Sequence, residues 1–144
     1  MKGLRRSFAT AALVGALAWT GVANADGWPG SVTGNWNIIG NQAGGVLSLA
    51  QAAGAVGSKC KPIRGTIYVV DTVEGFYCPG SGRISFLRRE ANTKAPKQYW
   101  SGNLSQVVAG QPLRLGGTFA AFPHNGVVGT IGGSLGEYEW YGVK

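Results

Sequence analysis

The chain has 144 residues, 25 of them glycine, with 44% hydrophobic residues, 13% charged residues and a formal net charge of +7. That length fits one domain, and the glycine load excludes a helical bundle because each interior glycine costs a helix about 1 kcal/mol. The glycines lack a three-residue period, which excludes collagen.

The first element in chain order is an export signal. Lys2, Arg5 and Arg6 form a cationic start, residues 8–22 are apolar apart from Thr and Gly, and Ala23-Asn24-Ala25 is the small-residue triplet at which signals are cleaved. Cleavage is expected between Ala25 and Asp26, making residues 1–25 the signal and residues 26–144 one secreted or periplasmic domain. No cysteine follows the cleavage site, so no lipid anchor is expected, and no later apolar run reaches the roughly 20 residues of a membrane-spanning helix. Three of the 13 basic residues and none of the 6 acidic ones precede Asp26, so cleavage takes the net charge from +7 to +4.

Turn residues then divide the chain into short β-like segments. Residues 32–39 read V-T-G-N-W-N-I-I, and 46–51 alternate with Leu47 and Leu49 on one face. Residues 66–70 are β-branched or aromatic, which suits a pleated surface. A turn is expected at 71–73, with the return strand at 74–78. Pro79-Gly80-Ser81-Gly82 is a strong turn signal, followed by strands at 83–89, 98–106, 113–122 and 137–143. Residues 52–58 and 124–133 read as loops, with 127–131 as a candidate short extra strand. No window sustains a 3.6-residue apolar period.

Eight such strands joined by short turns define an all-β fold. The expected architecture is a single eight-stranded antiparallel up-and-down barrel, because closure removes exposed sheet edges. An immunoglobulin-type sandwich would place a core tryptophan between the cysteines, and none lies between Cys60 and Cys78. In an oxidising compartment those two cysteines read as one structural disulfide. A metal pair would need further ligands, and a redox couple would have C-x-x-C spacing.

Gly34-Asn35-Trp36 in the first strand resembles the G-x-W motif of the calycins, the superfamily of lipocalins and avidins. Trp100-Ser101-Gly102-Asn103 is similar to the W-S-G-Q segment of the sixth avidin strand. The resemblance implies a calycin-like barrel in which the first tryptophan plugs one end and the open end holds a small ligand. Avidins carry a hydroxyl-rich T-S-G-T-T strand against biotin. The corresponding residues 115–122 here read L-G-G-T-F-A-A-F, with Thr118 as their one hydroxyl, so biotin recognition is not expected. Calycin-type barrels also include protease inhibitors that present an N-terminal segment, and residues 26–30, D-G-W-P-G, are the candidate segment.

The aromatic residues Trp36, Tyr68, Trp100, Tyr138 and Trp140 are the candidate ligand-binding walls, since an eight-stranded barrel has room for one small ligand. The competing reading is that the same rings fill the interior. Trp28 precedes the first strand and is a candidate exposed ring. The basic residues fall in three groups: Lys59, Lys61 and Arg64; Arg83, Arg88 and Arg89; Lys94 and Lys97. Such groups keep a surface soluble or attract an acidic partner. They lack the concentrated basic face with stacking aromatics of a nucleic-acid binder.

Catalysis finds no constellation of roles. His124 sits in the turn-like Pro123-His124-Asn125-Gly126, Glu137 and Glu139 share a strand face as surface charge, and no serine lies in a nucleophile elbow. No cofactor or metal is expected. The expected function is non-enzymatic binding of a small apolar ligand at the barrel mouth. The alternative is an inhibitor-like or surface-interaction protein that engages an exported protein partner through its loops, its N-terminal segment and its basic groups. An outer-membrane barrel is a third reading, opposed by polar residues such as Asn35, Asn37 and Ser101 within the strands.

Overall fold

The structure, a computed structural model, describes residues 27–123 and 135–144. The expected signal, its expected cleavage site at Ala25 and Asp26, His124 and the candidate strand at 127–131 lie outside the described residues. The described residues form eight strands: β1 (Gly34–Gly40), β2 (Ala43–Gln51), β3 (Lys61–Ile67), β4 (Asp71–Cys78), β5 (Arg83–Arg89), β6 (Pro96–Leu104), β7 (Arg114–Ala121) and β8 (Gly136–Val143). Each pairs with its neighbour in sequence, and β8 returns antiparallel to β1 to close the barrel. The all-β, up-and-down architecture expected from turn spacing is the observed fold. Closure pairs the backbone groups that an open sheet would expose along its edges.

One turn differs from expectation. Residues 66–70 look like strand because they are β-branched and aromatic, yet the chain reverses at 68–70, where Tyr68 and Val69 have φ of 51° and 77°. Asp71, expected in the turn, instead begins β4 opposite Ile67. Its side chain therefore enters the barrel, and Asp71 is buried. β2 also starts earlier than its leucine alternation suggested. Asn41 and Gln42, at φ 45° and 70°, make a tight two-residue hairpin that pairs Gly40 with Ala43.

Alternation along the strands fills the interior with Trp36, Ile38, Leu47, Leu49, Ile63, Ile67, Val73, Tyr77, Ile84, Phe86, Trp100, Leu115, Phe119 and Trp140, all buried. Removing each such side chain from water contributes roughly 1.5–3 kcal/mol. Outward positions carry Arg64 on β3, Glu74 on β4, Arg83 on β5, Arg114 on β7 and Glu137 and Glu139 on β8, all exposed. β1, β2, β4, β6 and β8 also expose Ile39, Val46, Phe76, Tyr99 and Tyr141, so the outer face mixes charged and apolar side chains.

Strand direction sorts the two ends. The chain segment before β1, the loop at 79–82 and Lys144 gather at one end, which is sealed. Val32 is fully buried there, and its carbonyl accepts a hydrogen bond from Trp36 Nε1 at 2.9 Å. Trp28 Nε1 donates to the Leu104 carbonyl at 3.0 Å, and the Tyr77 hydroxyl donates to the Pro29 carbonyl at 2.5 Å. Lys144 lies over the Trp36 ring and donates to the Thr33 carbonyl. The Cys60–Cys78 disulfide ties the start of β3 to the end of β4 at this same end. Closing that loop in the unfolded chain stabilises the fold by about 3 kcal/mol in the chain-entropy account.

Candidate functional site

The opposite end opens into a cleft of about 420 Å³, whose walls include Asn41, Tyr68, Arg88, Gln98, Phe119 and Tyr138. Its floor is a column of rings. Phe119 stacks on Trp100 at 4.5 Å, Trp100 stacks on Phe86 at 5.6 Å, and Tyr138 leans on Phe119 at 5.3 Å from the cleft side. Trp140 braces the column edge-on, 5.2 Å from Trp100. Offset and edge-to-face geometries of this kind are the favourable ones for aromatic quadrupoles.

Small residues make room for these rings. A Cβ on Gly40 would lie 2.9 Å from Trp100 Cη2 and 3.1 Å from Phe119 Cε1, and one on Gly45 would run into the Tyr68 ring. The strained 68–70 turn lays Tyr68 across Gly45, where its hydroxyl donates to the Ala43 carbonyl at 3.4 Å. Arg88 then sits over the Tyr68 ring, 4.7 Å from its centroid, a cation–π contact. Burial raises the Tyr68 phenol above its ordinary range, and the Arg88 charge offsets part of that rise.

Arg88 is an inward-facing cation, following Ile84 and Phe86 along β5. Its charge is met by Asp71, whose Oδ2 lies 2.8 Å from Arg88 Nε and 2.6 Å from Nη2. Lys97 Nζ approaches the same oxygen at 3.3 Å, and Oδ1 accepts the Ala91 N–H. Burial alone would push the Asp71 carboxyl upward. The hydrogen bonds and charges of Arg88 and Lys97 outweigh it and hold the group below the usual carboxylate range. Arg88 Nη1 also donates to Gln98 Oε1 at 2.9 Å, and Trp100 Nε1 donates to that oxygen at 3.1 Å. The ring column and the ion pair thus meet at one amide.

Of the five aromatic residues singled out from the sequence, Tyr68 and Tyr138 line the cleft. Trp100 and Trp140 lie beneath it in the packed interior, and Trp36 is buried at the sealed end. Arg88, Gln98 and Phe119 were not singled out as ligand-binding residues. Their signal was present in the inward register that Trp100 shares with Gln98 on β6 and Phe86 with Arg88 on β5. A charged residue in an interior register is an anomaly that requires a partner.

Other candidates do not converge. Glu137 and Glu139 face outward from β8. The basic groups are interleaved with acids rather than gathered into a free cationic face: Arg88 and Lys97 engage Asp71, Lys97 also reaches Glu90 at 3.5 Å, Arg89 pairs with Glu74 at 2.7 Å and donates to the Lys94 carbonyl, and Lys59, Arg64, Arg83 and Lys94 are exposed. Residues 27–32, rather than projecting, are tied to the sealed end through Trp28, Pro29, Gly30 and Val32. Among the described residues no cluster of three or more His, Cys, Asp or Glu is placed to hold a metal ion. Comparison with known protein families, with curated proteins and with solved structures yields no match for this chain.

Proposed function

We propose that this protein is an exported, non-enzymatic binding protein that holds a small molecule in the open mouth of its barrel. The observation that carries the reading is the contrast between the two ends. Among the described residues, one is sealed by Trp28, Val32 and Trp36, whereas the other leaves a cleft of about 420 Å³ with aromatic walls and one inward-facing cation. That volume falls within the range of small-molecule sites, which combine apolar lining with a few placed polar groups. The calycin-like motif around Trp36 supports the same division between a plugged end and a binding end. Export is supported by the N-terminal pattern at residues 1–25 and by the disulfide, which belongs to an oxidising compartment. The inhibitor alternative draws no support from residues 27–32, which are bound to the barrel.

A fragment screen observed through the protein's own NMR signals tests the reading. Binders are expected to shift the resonances of Tyr68, Phe119 and Tyr138 and to leave those of Trp28 and Trp36 in place. A screen whose hits all perturb the outer faces of the strands, with the mouth silent, would sink it.

A further inference from the structure

The hydrogen-bonding inventory of the mouth narrows the ligand to a chemical class. Gln98 Oε1 is saturated by Arg88 and Trp100, which fixes the amide orientation and leaves both Nε2 hydrogens without a partner among the described residues. The guanidinium of Arg88 spends one N–H on Gln98 and two on Asp71, leaving two of its five donors. The acceptors behind this wall are occupied, since both Asp71 oxygens already take donors. Among the described residues that line the cleft there is no acid, Asp71 and Glu90 included. The polar wall therefore shows a ligand the N–H groups of Gln98 and Arg88, the guanidinium charge being shared with Asp71, and Asn41 is the other side-chain amide in the lining. Below it, the cleft ends on the flat rings of Phe119 and Tyr138, and Trp100 and Phe86 fill the space beneath. Among the described residues no channel leads further in for a long alkyl tail, whereas a planar ring extends an existing stack.

We propose that the mouth selects small planar aromatic carboxylates, the carboxylate received by the N–H groups of Gln98 and Arg88 and the ring laid against Phe119 and Tyr138. This rests on the binding reading above and adds a sign of charge and a shape to it. Charge-assisted hydrogen bonds are shorter and about twice as strong as neutral ones, so charge rather than ring area sets the preference.

The test is titration of the purified protein at neutral pH with 2-naphthoate, 2-naphthamide and 2-naphthylmethylammonium, followed by calorimetry and by NMR shifts at the mouth. Naphthoate is expected to bind about tenfold tighter than the amide, and the ammonium compound weakest. Gln98→Glu keeps an oxygen for Arg88 and Trp100 but replaces the donating NH2 with a second acceptor. It is expected to erase the preference for naphthoate while retaining naphthamide. Equal binding of acid and amide at the mouth, or a Gln98→Glu protein with an unchanged ratio, overturns the carboxylate assignment and leaves the binding site standing. Silence of the mouth towards all three compounds overturns the assignment, and a fragment screen silent there as well removes the binding reading with it.

Discussion

Asp71 and Arg88 meet inside the barrel with Oδ2 and Nη2 2.6 Å apart, the carboxylate opening β4 and the guanidinium closing the inward face of β5. Their side chains are 5% and 17% exposed, so Asp71 depends on protein partners while Arg88 keeps an edge on the cleft. Removing Asp71 takes the carboxylate from both Arg88 and Lys97; breaking a buried pair typically costs about 3–5 kcal/mol, whereas replacing both members with apolar groups of similar volume is often neutral. Asp71→Ala is accordingly expected to lower unfolding stability by about 3 kcal/mol, and Asp71→Val combined with Arg88→Met by much less. Urea denaturation of the two variants checks the difference. A double variant as unstable as the single one would show that the pair is not the unit that matters.

Acid exposes the same pair. The Asp71 carboxyl has its pKa lowered in the folded protein, so the folded state holds its proton less readily than the unfolded chain does. The associated stability is fully present above the unfolded carboxylate value of about 3.9 and is lost as pH falls through the lower folded value. Thermal unfolding between pH 6 and pH 2 is expected to show a steep acid limb, flattened in Asp71→Asn. An equally steep limb in that variant would assign the acid sensitivity to other carboxylates.

The barrel was legible because period-two alternation and glycine-containing turns are local signals, and closure follows once eight short strands must hide their edges. The mouth was only half legible. Tyr68 and Tyr138 announce themselves as aromatic residues, but Arg88 and Gln98 look like surface groups until the register turns them inward beside Phe86 and Trp100. Asp71 was misplaced because Tyr68, Val69 and Val70 have strand propensity, and the structure overrides it by forcing two of them to positive φ. Propensity records what a residue prefers, and this turn goes against it.

That override has a measurable cost. Val69 is β-branched, has φ of 77° and is 85% exposed, so it carries left-handed strain of about 1–2 kcal/mol with little packing in return. Val69→Gly is expected to raise the denaturation midpoint, by about 1 kcal/mol in stability after the entropy of the added glycine is subtracted. Tyr68→Gly removes similar strain but also the ring beneath Arg88, so no net gain is expected from it. Paired urea titrations separate the two cases.

Gly40 sets the depth of the cleft. A methyl group there would press on Trp100 and Phe119 from about 3 Å, and Trp100 is held from behind because Phe86 and Trp140 pack against it. Gly40→Ala is expected to cost about 1–3 kcal/mol through overpacking, and to change the near-ultraviolet circular dichroism of the tryptophans. Unaltered spectra with full stability would mean that the column yields without cost.

The disulfide offers a change confined to the other end. Cys60 and Cys78 join β3 to β4 beside the sealed end, across the length of the barrel from Tyr68 and Gln98. The cross-link acts mainly by restricting the unfolded chain. Replacing both cysteines with serine is therefore expected to reduce stability by about 3 kcal/mol while leaving the folded mouth as it was. Chemical denaturation reads the first effect, and the affinity for naphthoate below the unfolding transition reads the second. A loss of affinity in protein that is still fully folded would mean that the two ends are coupled through β3 and β4, contrary to the independence expected of the sealed end and the proposed binding end.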